Sequence, residues 1–258
     1  MRHRTMRGFL TERNPKKKAT LERSHVPKDD AYPAIQPSGI SRWSPFNINT
    51  INHTHGHLLD AEITNHGAVS QLEALEVPEN RIIETVGGLA RWCQQDMVSL
   101  VGASLKQAAT PSLSTQSLAE YTRFGVSPDK TMLPAGVQKY GIDFFMGFKD
   151  ANAQTIVVGE VKSHLDLRSS NLLGPMVERQ HLSRLRRLAH LCKTAGTKYG
   201  FFYTDEELIV CRFDSGYLGV SIESVNWDGE GPLTTQLALW YQCVIAIDEI
   251  QGLSAYKA

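Results

Sequence analysis

The sequence predicts an α/β (α+β) fold, a mixed central β-sheet flanked by helices. Three observations predict it. Two apolar, β-branched or aromatic runs, 141–148 and 155–161, lie between two stretches of helical periodicity. A second extended pair, 198–213, follows the later of those helices and leads into an alternating strand and a closing apolar helix. The 258 residues are 41% apolar and 21% charged, the composition of an ordinary globular chain.

Residues 1–75 read as a mostly disordered basic arm, 76–252 as the folded domain and 253–258 as a tail. In the arm Pro15, Pro27, Pro33, Pro37 and Pro45 interrupt any helix, and Ser, Asn, Thr and His are plentiful. Residues 1–28 hold nine Lys or Arg and two Glu, a balance of +7. The remaining residues hold 18 basic and 25 acidic side chains, a balance of −7, so the neutral total conceals an asymmetry. Such an arm can follow a polyanion through counterion release, act as a nuclear import signal around Lys16, Lys17 and Lys18, or simply be solvated. Trp43 to Ile51 is apolar enough to dock on the domain. His53, His55 and His57 alternate. On a strand they would share a face, but no carboxylate or cysteine with ligand spacing stands beside them.

A helix is expected from Arg81 to Gln107, entered at Pro78-Glu79-Asn80. Its apolar residues Val86, Leu89, Ala90, Cys93, Met97, Leu100, Val101 and Leu105 recur at spacings of three and four. Glu84 would sit one turn inside it. Residues 108–118 read as a connection, and 121–136 as loop plus short strand. After Lys162 the stretch SHLDLRSSNLLGP reads as a mobile loop. A second helix is expected from Pro175 to Thr194, stopped by Gly196. Its apolar face is Leu182, Leu185, Leu188, Ala189 and Cys192, and its opposite side carries Gln180, Arg184 and Arg187. KYGFFYTDEELIVCRF reads as a hairpin turning at 204–206, VSIESVNW as a strand, and Leu233 to Ile247 as a largely buried helix.

The four cysteines, at 93, 192, 211 and 243, form no CxxC pair and have no zinc-ligand spacing with a histidine. They read as scattered buried thiols of a reducing, intracellular compartment. No apolar run approaches the roughly 20 residues that span a bilayer. The basic N-terminus has no apolar core after it, so no secretory signal is expected.

The stretch richest in chemistry is YGIDFFMGFKDANAQTIVVGEVK, Tyr140 to Lys162. It reads as a hairpin whose turn is the polar string KDANAQ. A turn centred between Ala151 and Asn152 sets Asp143 opposite Glu160 on one sheet face, with Lys162 on that face two residues further on. Two such charges about 5 Å apart repel by roughly 3 kcal/mol at an effective dielectric near 20. Lys162 relieves part of this, and a divalent cation would relieve more. Two carboxylates and a lysine on one face suit metal-assisted hydrolysis, with Asp143 and Glu160 as oxygen ligands of Mg²⁺ or Mn²⁺. Lys162 would orient or deprotonate the attacking water, or stabilise charge on phosphorus. The competing reading is a salt-bridge ladder on a solvated face; the apolar flanks FF and IVV argue for covered faces.

Asp143, the hairpin, and Glu160-Val161-Lys162 after TIVVG resemble the signature of the PD-(D/E)XK nuclease superfamily. In that fold a helix precedes a β-meander carrying the Asp and the E-x-K, and a second helix leads to a further strand. The order here is similar, with helix 81–107, hairpin 139–162, helix 175–194 and strand 198–203. The resemblance implies a restriction-endonuclease-like core across residues 77–250. It also implies Mg²⁺-dependent phosphodiester hydrolysis on nucleic acid, with DNA as the expected partner. Glu84 resembles an additional acidic residue that many members place near the metal, beside Asp143 and Glu160. Gln180 resembles the glutamine that several branches carry on the second helix, and so joins Asp143, Glu160 and Lys162 as a candidate catalytic residue. The closing stretches KYGFFYTDEELIVCRF and PLTTQLALWYQCVIAI look similar to those of uncharacterised fungal proteins with a PD-(D/E)XK-like domain. Ile142 stands where the signature has proline, a position at which proline is often absent. The superfamily also holds inactive modules that bind nucleic acid or a protein partner, and the acidic balance of the folded part suits that alternative. Arg184 and Arg187 are candidate phosphate contacts, His164 reads as a loop residue, and Tyr199 and Tyr203 as core or rim aromatics.

Overall fold

Seven strands join edge to edge in one mixed sheet. They are β2 (Ile40–Arg42), β4 (Leu118–Thr122), β5 (Phe144–Phe148), β6 (Thr155–Val161), β7 (Tyr199–Tyr203), β8 (Glu207–Phe213) and β9 (Val220–Asn226). Their order across the sheet is β2-β9-β8-β7-β6-β5-β4. The computed structural model describes residues 5–11, 18–19, 21, 32–61, 82–107, 118–122, 133–138, 140–148, 154–227 and 232–252. Within these, β6 pairs parallel with β7, β2 pairs parallel with β9, and the other neighbours are antiparallel. The parallel pair needs a crossover. It is supplied by a short helix α6 (Ser169–Leu173) and the long helix α7 (Arg179–Ala195).

Every residue of β5, β6 and β7 is buried, as expected of central strands covered on both faces. Phe144, Met146, Phe201, Tyr203, Leu208 and Val210 pack under α8 (Thr235–Ile250) and a helical segment at 86–107. Phe145, Val158, Phe202, Ile209 and Cys211 pack under α7 through Leu185, Leu188, Ala189 and Cys192. Gly200 is what lets α7 come so close. A Cβ there would stand 2.8 Å from Cys192 Sγ and 3.1 Å from Leu188. The expected C-cap holds as well: Gly196 adopts φ 75°, and its amide closes on the carbonyls of Cys192 and Lys193. All four cysteines are buried and none forms a disulfide, and burial pushes the Cys192 and Cys211 thiols up. Among the described residues no helix is long and apolar enough to cross a membrane.

Three expectations change. The domain starts well before residue 76. β2 adds to the sheet edge, and α2 (Ile48–Asp60) packs into the core with Ile51 and Leu59, next to Trp43 and Phe46. The three histidines therefore lie on a helix and not a strand, where positions two apart diverge. His53 and His57 are exposed, while His55 is buried against Asp248 Oδ2 at 2.9 Å and Thr54 Oγ1 at 2.7 Å. The first predicted helix is shorter and divided. β3 (Ile82–Ile83) pairs with β1 (Lys18–Ala19), and α3 (Val86–Cys93) follows from an N-cap at Thr85. A π turn at Gln94–Val98, in which the Ser99 amide reaches the Gln94 carbonyl, then leads into α4 (Ser99–Gln107). The stretch 163–174 is not loop throughout: it carries α6, and His164 and Ser169 bond Asp205 and Glu207. Two short helices, α1 (Met6–Leu10) and α5 (Ala135–Gln138), and a 3₁₀ turn at Pro37–Gly39 complete the elements among the described residues. Lys16, Lys17, the helix entry at 78–80, the turn at 149–153 and the tail lie outside the described residues.

Candidate active site

The hairpin ladder runs up to the residues beside the two acids. Phe144 faces Gly159, Phe145 faces Val158, and Met146 faces Val157, the expected register; nearer the turn Gly147 faces Thr155, one residue out of it, so an irregularity at Met146/Gly147 intervenes. One more step along this ladder sets Asp143 opposite Glu160. Asp143 is buried, and its Oδ2 accepts the Val161 amide at 2.9 Å, so the side chain extends the ladder where the strand's own backbone pairing stops. On β6 the Glu160 side chain follows Val158 onto the α7 face. The Lys162 amide continues the parallel ladder to the Tyr203 carbonyl at 3.0 Å. Gly159, between the two apolar valines and Glu160, is where the Phe201 ring crosses the strand: a Cβ there would fall 2.2 Å from that ring.

Glu160 is only 1% exposed. A lone carboxylate so placed would abandon its charge. Burial works to raise its pKa, but the nearby Lys162 and Arg187 outweigh it and hold the carboxyl below the usual range. Arg187 Nε donates to Oε1 at 2.7 Å, and Lys162 Nζ lies 3.5 Å from the same oxygen. Oε2 is buried and, among the described residues, accepts no hydrogen bond. A spare hard oxygen on an ionised carboxylate, next to a second buried acid, fits the donor chemistry of Mg²⁺ or Mn²⁺. Among the described residues no three His, Cys, Asp or Glu side chains gather as a ligand set. The candidate ligands are therefore Asp143 and Glu160, a number in keeping with the one or two carboxylates such ions commonly take.

The walls come from α7 and the crossover. Arg184, expected on a polar helix face, is buried and pairs with buried Asp166 at 2.8 Å. His181 Nδ1 lies 2.9 Å from the Asp166 carbonyl oxygen, and Asn171 Nδ2 lies 3.0 Å from His181 Nε2. His164 is fixed by Asp205, amide to Oδ1 at 2.7 Å and Nδ1 to Oδ2 at 2.5 Å, which makes it a clamp between the crossover and the β7–β8 turn. Arg168 pairs with Glu206 at 2.8 Å across the same gap.

The other two candidates are exposed. Glu84 lies before the helix, ahead of the Thr85 cap, and is exposed. Gln180 is exposed near the start of α7 and donates to Glu178 Oε2 at 2.7 Å. It sits two turns, about 10 Å along the axis, from Arg187. The residue that does reach Glu160 from α7 is Arg187. The signal for it was a helix with four arginines and no acid over a strand whose glutamate had to be neutralised. Comparison with protein-family models, with curated proteins and with solved structures finds no match. The fold established is a mixed α/β domain with its mixed sheet flanked by helices.

Proposed function

We propose that this protein is a metal-dependent nuclease of the PD-(D/E)XK type, hydrolysing phosphodiester bonds of DNA at Asp143, Glu160 and Lys162. The observation that carries the reading is the pair of buried acids at the end of the β5–β6 ladder, with Lys162 beside Glu160 and one Glu160 oxygen without a donor among the described residues. Asp143 and Glu160 would hold the ion, which when bound supplies positive charge to a phosphoryl oxygen. The Val161 amide fixes the Asp143 carboxylate. Lys162, whose side chain is partly exposed beside sealed Glu160, is placed to orient the attacking water or to steady charge growing on phosphorus. This reading leaves Glu84 and Gln180 outside the chemistry, since both are exposed while Asp143 and Glu160 are buried.

A second reading has its own observation. Arg187 already neutralises Glu160, as in a nuclease-fold module that binds nucleic acid or a protein partner without cutting. Incubating the protein with plasmid and single-stranded DNA in Mg²⁺ or Mn²⁺, beside Glu160→Ala and Lys162→Ala, separates the two. The nuclease reading expects cleavage by the wild type and its loss in both variants. Wild type that binds DNA yet cuts no better than the variants leaves only the binding module.

A further inference from the structure

Arg187 holds Glu160 in an incomplete way. A guanidinium normally meets a carboxylate as a fork, two N–H groups on two oxygens. Here Nε takes Oε1, while Nη2 turns away to the Tyr140 carbonyl at 2.7 Å, and the Tyr32 hydroxyl bonds the same side chain. Oε2 is left buried with no donor among the described residues. The carboxylate is 1% exposed, but the side chains over it are less sealed, Arg187 at 17% and Lys162 at 14%. The buried acid is thus covered by two cations that solvent can reach, and one of them is attached at a single point.

Building on the nuclease reading above, we propose that Arg187 is an exchangeable counter-ion of the site. The guanidinium and a divalent cation compete for Glu160, and an incoming phosphodiester oxyanion, by taking up Arg187, opens Glu160 to the cation. A planar guanidinium with its forked donors is as well suited to a phosphoryl group as to a carboxylate. Cation and oxyanion binding are then positively coupled, by the same factor in both directions. The site fills in the presence of substrate and stays charge-balanced without it.

The test titrates Mn²⁺ into the full-length protein and follows free ion by electron paramagnetic resonance. Sulfate serves as the oxyanion probe, against chloride at equal ionic strength. Wild type is expected to bind Mn²⁺ about tenfold more tightly in sulfate. Arg187→Met is expected to bind it that tightly without sulfate and to ignore sulfate, and Glu160→Gln to lose the site in both buffers. Equal Mn²⁺ affinity in wild type and Arg187→Met, with no effect of sulfate, overturns the exchange and leaves the metal site standing. Mn²⁺ binding that is absent from both, or untouched by Glu160→Gln, overturns the exchange and the nuclease reading together. Should circular dichroism find Arg187→Met unfolded, the wild-type response to sulfate decides alone: tightening supports the exchange, and no change overturns it.

Discussion

Two buried glutamates of this domain are partnered in opposite ways. Glu207, at the start of β8, gives one oxygen to the Ser169 amide at 2.7 Å and the other to the Ser169 hydroxyl at 2.6 Å. Its donors are neutral, both oxygens are used, and the result is a pin that fastens the crossover to the sheet. Glu160, on β6, is held by cations, and among the described residues only one of its oxygens has a partner. A carboxylate that serves structure alone is cheapest when every lone-pair direction it buries is met. The shortfall at Glu160 is the difference between the two, and it is what the proposed reading rests on, since a buried oxygen without a donor can take a further ligand.

The largest effect should come from stripping the unfinished pair. Arg187→Met leaves the buried Glu160 charge to Lys162 alone and is expected to cost about 3 kcal/mol in chemical denaturation. Adding Glu160→Met should recover most of that loss, because the pair is then replaced by apolar groups. A double variant no more stable than the single would show that Arg187 acts through packing and not through Glu160.

Glu207→Ala comes next. It leaves the Ser169 amide and hydroxyl without acceptors, at an expected cost of about 2–3 kcal/mol. Amide exchange should quicken across 163–173 first, and uniform quickening would deny the pin.

A smaller contrast is one of pH. The Glu160 pKa is depressed in the folded state, so its contribution to stability is complete above the unfolded value of roughly 4.3 and is lost as pH falls through the folded value. Thermal melts between neutral and acidic pH should therefore show a steeper acid decline for wild type than for Glu160→Gln. Parallel curves would mean that the carboxylate is not held ionised.

The smallest is Glu249→Gln. Glu249 is partly exposed and bonded by Lys198 Nζ at 2.5 Å and by the Tyr199 hydroxyl at 2.6 Å. Burial alone would raise its pKa, but the hydrogen bonds from Lys198 and Tyr199 lower it overall. Solvent screening should limit the loss to about 1 kcal/mol. A larger loss would put this surface pair in the same class as Glu160.

The sequence alone determined the local elements and the pairing that matters most. Alternation and turn composition placed β5 to β9, α7 and α8 with their order, and the hairpin register expected from one polar turn holds at Phe144–Met146, though it shifts by one residue at Gly147. Register is legible because a slip of one residue would move Glu160 to the other face and put valines out of place. Only the tertiary structure decided what neutralises Glu160. Arg187 looked solvated because helical periodicity sorts residues by polarity and is blind to a charged group that reaches inward to a buried partner. It likewise decided that residues 40–60 belong to the core, since an edge strand of three residues and a helix rich in His, Asn and Thr carry little pattern of their own. Their place comes from β9, Tyr241 and Asp248, partners some 180 or more residues further along the chain.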